Sequence, residues 1–357
     1  MYRFQIITLK DLKEIDYSGS FPSNQFNWIY NWFSVFEKVE NNVLGFDKKV
    51  FIIASFKENK LVAIVPLVRL YRTYLKYIKI EFLEFLGQQW SNLGNDIIAL
   101  DELHDSFASD LALWTRKNIK YHFLFLKYLP QNSILTKKYK LFNYAGAPFI
   151  QVDKHEDYEG FAKNVYSRKF REDLRRTLRK IKKDGFEFEI CYEEINQESL
   201  QEIRRIAKSK MTDGKSFLYG DVEKTQFHLK MYECFPSHVV FVKFNNKAVA
   251  YATSIDWKGE RIGIDAAFDR DYRKYGAGIH CIDTTIQTSF KDKKEKLSFG
   301  LGLDTYKFQF TDQIDRYFMC FDFKYRLKSL VALPYFLYRL KKEDRAVMGK
   351  LESAQGK

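Results

Sequence analysis

The stretch Asp269–His280, DRDYRKYGAGIH, sets two glycines one residue apart between an alternating apolar segment and an amphipathic one. Glycine at a strand-to-helix junction lets a ligand approach the backbone, and the amides that open a helix attract phosphate. A dinucleotide-binding fingerprint needs G-x-G-x-x-G and a P-loop needs a Lys-Ser/Thr pair. Neither is present. The pattern is Arg273-x-x-Gly276-x-Gly278.

The flanks define the elements. In ERIGIDAAF (Glu260–Phe268), Ile262, Ile264, Ala266 and Phe268 alternate as one strand face, with Asp265 on the other. Beyond the glycines, Ile279, Ile282, Ile286 and Phe290 form a helical stripe from about Gly278 to Phe290. KLSFGLG (Lys296–Gly302) follows as a strand, then LDTYKFQFTD and RYFMCFDF as the expected final strands. Upstream, HVVFVKFNNKAVAYATSI (His238–Ile255) reads as a hairpin and echoes VFIIASFKENKLVAIVPLV (Val50–Val68), given one inserted residue in the first copy. Helix-like segments, Gln25–Glu40 and Leu218–Cys234, precede the two hairpins. The repetition predicts two related α/β halves that meet near Pro148–Asp157.

With 357 residues, 46% of them hydrophobic, the chain has material for more than one core. Its formal charge of +13 suits anionic partners: phosphates, nucleic acid or an acidic membrane surface. The charged opening segment does not read as a signal peptide, and no apolar run reaches bilayer length. Cys191, Cys234, Cys281 and Cys320 are scattered, as in a reduced, cytoplasmic protein. The six histidines lack zinc-type spacing, so no metal is expected.

The element order, with Arg273-x-x-Gly276-x-Gly278 at its strand-to-helix turn, resembles the GNAT acyltransferases. SRKFREDLRRTLRKIKKDG, FDRDYRKYGAGI and FGLGLDTYKFQFTD, with FNWIYNWFSVFE and KLVAIVPLV in the first half, look more closely like the CelD/BcsL family, relatives of the FemAB peptidyltransferases. The resemblance implies an α/β (α+β) fold of tandem GNAT-like domains, each a mixed central sheet flanked by helices. The first copy is degenerate, since residues 51–126 hold no R-x-x-G-x-G. The expected ranges are 1–150 for that domain, 151–330 for the catalytic domain and 331–357 for a basic tail.

In GNAT enzymes the matching loop wraps the pyrophosphate of acyl-coenzyme A. The expected donor-binding residues are therefore Phe268, Arg273, Lys274, Tyr275, Gly276, Ala277, Gly278 and Ile279. Elementary physics agrees: amides before a helix form an anion nest, and the helix dipole adds positive charge. The donor that the resemblance implies is acetyl-CoA or another acyl-CoA. Thioester aminolysis needs a base for the acceptor, donors for the oxyanion and an acid for the thiolate. By resemblance, Tyr306 is the acid and Lys307 the electrostatic stabiliser; Asp265 and Asp304 compete as base.

Ser167–Gly185 reads as a helix with a serine N-cap, a glycine stop and an apolar line at Phe170, Leu174, Leu178 and Ile181. A basic line beside it includes Arg171, Arg175 and Arg179, either a solvated face or an anionic-acceptor strip. The tail, YRLKSLVALPYFLYRLKKEDR, packs on its domain or lies on an anionic membrane surface. Trp90 fits a sugar site or a core. Three readings compete: acyl-CoA-dependent N- or O-acyl transfer to a sugar, amino-sugar or envelope precursor; a Fem-like enzyme using aminoacyl-tRNA; and a non-catalytic binding protein on the same scaffold.

Overall fold

A computed structural model describes residues 2–75, 77–90, 93–209 and 220–355. The chain divides into two compact units, Met1–Gly146 with Asp315–Lys357, and Ala147–Ile314.

The first unit begins with β1 (Arg3–Ile7), α1 (Leu9–Lys13) and α2 (Phe26–Phe36). The hairpin of β2 (Phe46–Lys57) and β3 (Lys60–Tyr74) follows, then β4 (Ile78–Phe85) and the short β5 (Ile98–Ala99), which pairs with β3. A crossover helix, α3 (Phe107–Asn118), leads to β6 (Phe123–Pro130), and β6 pairs parallel with β4. The first half of β7 (Lys140–Gln151) completes the part contributed before the second unit.

In the second unit, α4 (Tyr158–Val165) and α5 (Arg168–Lys183) precede β8 (Phe188–Glu194), α6 (Gln197–Lys208) and α7 (Val222–Cys234). The expected start of α7 at residues 218–219 lies outside the described residues. The hairpin of β9 (Ser237–Phe244) and β10 (Lys247–Trp257) comes next, then β11 (Glu260–Phe268). Helix α8 (Ala277–Lys291) crosses to β12 (Lys296–Ser298), which pairs parallel with β11 and antiparallel with Phe149–Gln151. The chain then returns to the first unit with β13 (Ile314–Phe323), which pairs with β6, and α9 (Leu327–Gln355).

Both units thus run hairpin, strand, helix, parallel strand. Their hairpins close alike: Glu58–Asn59 and Asn245–Asn246 all have positive φ, as a two-residue type I′ turn demands and as Asn tolerates. The units differ from the expected ranges in physical detail. The division falls inside β7, and residues 315–330 leave the catalytic half because β13 hydrogen-bonds to β6. The tail is no separate piece: Phe336, Leu340 and Leu351 of α9 are buried, and the Phe336 ring lies 4.6 Å from that of Phe123.

Two strand expectations are corrected. Of KLSFGLG only Lys296–Ser298 is strand, and Leu303–Asp312 is a loop with one 3-10 turn at Lys307–Gln309. Gly300 and Gly302 carry positive φ, and a Cβ on Gly300 would run into the Gly263 carbonyl oxygen. The backbone therefore turns out of the sheet there.

In the first unit, Asp96 accepts from the Ser133 hydroxyl at 2.7 Å and the Ile97 amide at 2.8 Å. Desolvation outweighs these bonds and pushes its carboxyl up to about 7. A raised acid favours the folded state fully below the unfolded value near ~4, and that advantage is lost as pH rises through about 7. Asp96→Asn keeps the accepting oxygen and carries no charge. Thermal melts should show the variant several degrees more stable than wild type at alkaline pH, with the gap closing in acid.

Candidate functional site

The β11–β12 ladder is short, pairing Glu260 with Lys296, Arg261 with Leu297 and Ile262 with Ser298. β11 runs on to Phe268 with β10 along its other edge. A β-bulge at Thr253/Ser254 interrupts the uniform alternation expected of β11. After Phe268 the 3-10 turn Arg270–Tyr275 leads to Gly276, whose φ of +65° and ψ of +24° make it the N-cap of α8. That conformation explains glycine at 276. Gly278 has a packing reason as well, since a Cβ there would lie 3.3 Å from the Phe268 ring.

The amides of Ile279 and His280 donate back to the Gly276 carbonyl at 3.0 and 3.3 Å. Ala277 and Gly278 remain as amides without an intrahelical acceptor, and no side chain caps the helix. A cavity of about 270 Å³ opens here, lined by Ala266, Ala267, Phe268, Arg273, Gly276, Ala277, Gly278, Ile279, Ile282 and Tyr306. Its walls are apolar except for the Arg273 guanidinium and the Tyr306 hydroxyl. Helix α5 packs beside the turn, where the Thr177 hydroxyl meets His280 Nε2 at 2.8 Å. Burial lowers the His280 pKa to about 4, so this contact is between neutral groups.

Tyr306 is half-buried, and burial, then the charges of Asp304 and Asp265, raise its pKa well above the ordinary phenol value. The phenol therefore keeps its proton throughout the physiological range. Asp265 accepts a hydrogen bond from the buried Tyr251 hydroxyl, and its amide donates to Thr253 Oγ1 at 3.2 Å. Tyr251 is a second tyrosine that the sequence reading missed; its place in the β10 strand gave no signal. Ala266, Ala267 and Ile282 were likewise visible only as strand and helix apolar positions.

Other expected site residues are placed elsewhere. The Tyr275 side chain is core: it packs against Phe186 and Phe244, and its hydroxyl donates to Asp184 at 2.8 Å. Lys274 pairs with the same carboxylate at 3.5 Å, so its charge is partly met outside the cavity. Lys307 is buried, and its ammonium donates to the carbonyls of Gly300, Leu301 and Gly302, each at 3.1 Å. An ammonium has three donors, so Lys307 holds the loop after β12 rather than presenting a free charge. Its burial lowers its pKa to about 8. Asp304 is exposed, 3.9 Å from that ammonium.

Helix α5 has its Ser167 cap, with the hydroxyl accepting from the Phe170 amide, and ends before Gly185 as expected. Phe170 and Ile181 are buried, but Leu178 is exposed. Arg171 leaves the basic strip, because its guanidinium donates to the carbonyls of Ala162, Lys163 and Tyr166 at the end of α4. Arg175 and Arg179 are exposed. Trp90, in the first unit, packs edge-on against Phe36 at 5.1 Å and is not part of the cavity. Among the described residues no cluster of His, Cys, Asp and Glu is arranged to hold a metal ion.

Comparison with known proteins places this geometry. Residues 168–308 match a family model described as "Acetyltransferase (GNAT) domain". None of the curated proteins matches the chain in sequence. Among solved structures, the crystal structure of FemX superposes with a TM-score of 0.56 at 10% identity, covering 93% of this chain and 99% of that one. A conserved protein of unknown function from Bacteroides thetaiotaomicron VPI-5482 gives 0.54 at 12% identity, covering 90% and 100%. L-PGS from Bacillus licheniformis gives 0.50 at 15%, covering 91% and 99%. At such identities the likeness is one of fold. The chain carries a GNAT acetyltransferase-like domain, within a mixed α/β fold of two GNAT-like halves of which only the second has the glycine turn.

Proposed function

We propose that the protein is an acyl-CoA-dependent N- or O-acyltransferase of the CelD/BcsL type, working in the cytoplasm on a sugar, amino-sugar or cell-envelope polysaccharide precursor. One observation carries the reading: an apolar cavity that begins at the left-handed Gly276, the open amides of α8 and the exposed Arg273, and that has Tyr306 in its wall. The amides, the dipole of α8 and Arg273 suit the pyrophosphate of the donor. The exposed Arg175 and Arg179 of the neighbouring α5 add positive charge for an anionic acceptor.

The acceptor amine or hydroxyl attacks the thioester carbonyl, and the carbon–sulfur bond of the tetrahedral intermediate breaks. The departing thiolate takes the Tyr306 proton. Asp265, positioned by Tyr251, is the candidate base for the proton that the acceptor loses.

The formal charge of +13 favours a second reading, an aminoacyl-tRNA donor. Thermal unfolding with acetyl-CoA and longer acyl-CoAs separates the two. The donor reading predicts protection of about 2.7 kcal/mol at a hundredfold excess over Kd. Absence of protection by any coenzyme A thioester, with salt-dependent tRNA retention on filters at two ionic strengths, establishes the tRNA reading instead. Absence of both leaves a scaffold without this chemistry.

A further inference from the structure

The first turns of α9 are apolar on both sides. Inward, Phe336 and Leu340 are buried in the first unit. Outward, Leu327, Val331 and Tyr338 are 79%, 73% and 67% exposed, and Leu330 and Tyr335 are exposed beside them. A surface helix ordinarily turns one apolar stripe to its core and a polar face to water; this one carries a second apolar strip that its own core does not cover. The tip of the β3–β4 hairpin extends the surface. Leu75 and Tyr77 stand out to solvent there, and the adjoining Tyr74 ring touches Tyr335 at 6.0 Å and Phe336 at 5.4 Å.

Charge identifies the occupant. Residues 324–342 contain six Lys and Arg and no Asp or Glu; Arg339 pairs with Glu343 at 3.2 Å just beyond, which leaves five cations. Arg326 and Lys328 stand at one end of the apolar strip, Lys341 and Lys342 at the other. In a twofold contact between copies the same patch faces itself, which would set these cations against one another. An acidic lipid surface instead neutralises them while the apolar strip enters the headgroup layer. No helix among the described residues is long and apolar enough to cross a membrane, so the contact is one of lying on the surface.

We propose that the outward face of α9, with the β3–β4 hairpin tip, binds the surface of an anionic bilayer. This is independent of the donor assigned above.

The test is co-sedimentation with vesicles of phosphatidylcholine alone and of phosphatidylcholine with phosphatidylglycerol. The full chain should pellet with the anionic vesicles, stay in solution with the neutral ones, and be released as salt is raised. Val331→Glu with Tyr338→Glu should weaken partition roughly tenfold or more. Lys341→Glu with Lys342→Glu leaves the apolar strip intact and should weaken it by roughly tenfold through charge. Both pairs alter exposed side chains, and matching thermal melts verify that the fold is retained. Equal partition of wild type with both vesicle types, or with neither, overturns the proposal. So does a wild-type dimer, seen by analytical ultracentrifugation, that Val331→Glu dissociates without any vesicle binding.

Discussion

Tyr306→Phe should lower turnover by roughly 10²–10⁴-fold, the range for a positioned proton donor, while acyl-CoA affinity stays near that of wild type. The substitution removes one oxygen from a half-buried ring that lines the cavity. Among the described residues nothing hydrogen-bonds that oxygen, so its loss leaves no protein group unsatisfied. The two effects must therefore separate: kcat falls, KM for the donor does not follow. Steady-state kinetics with an identified acceptor, paired with calorimetric titration of the donor, measures both. A turnover change below about threefold, small beside the range for proton transfer, removes Tyr306 from the mechanism.

Gly278→Val should abolish acyl-CoA binding in a protein that still folds. Position 278 is helical, so valine meets no barrier of backbone sign there. Its Cβ would already stand 3.3 Å from the Phe268 ring, and its methyls occupy the approach to the Ala277 and Gly278 amides. Gly276→Val should lose binding too, but at φ +65° it also strains the backbone. The 278 variant is the cleaner experiment. Calorimetric titration with unchanged affinity in folded protein would withdraw the glycine turn from donor binding.

Much of the fold is legible because periodicity reports burial. The stripe of α8, the cap and stop of α5 and the two hairpins follow from local rules that the tertiary structure does not override. The site is less legible, for reasons that particular residues make clear. Gly276 and Tyr306 share one cavity, as the resemblance implies. Tyr275 does not, because in a 3-10 turn the side chain next to the N-cap points into the aromatic cluster of Phe186 and Phe244. Lys307 adjoins Tyr306 in sequence, yet it turns to three carbonyls of its own loop, a choice set by burial rather than by residue type. Arg171 shares a helical spacing with Arg175 and Arg179, but the carbonyls at the end of α4 claim its guanidinium. Spacing gives direction along a helix; it does not show what waits at the end of a side chain.

The return of residues 315–357 to the first unit has a consequence for synthesis. β13 lies between β6 and β7 in that unit's sheet, so two strands made early await a neighbour encoded more than 160 residues after β7 ends. The second unit is one uninterrupted segment, and every strand it needs is encoded before residue 315. Domains fold as units while the chain emerges, and here the later-encoded half has its full set of strands before the amino-terminal half does. The amino-terminal half waits, with one edge of β6 and one of β7 open, until β13 has been made.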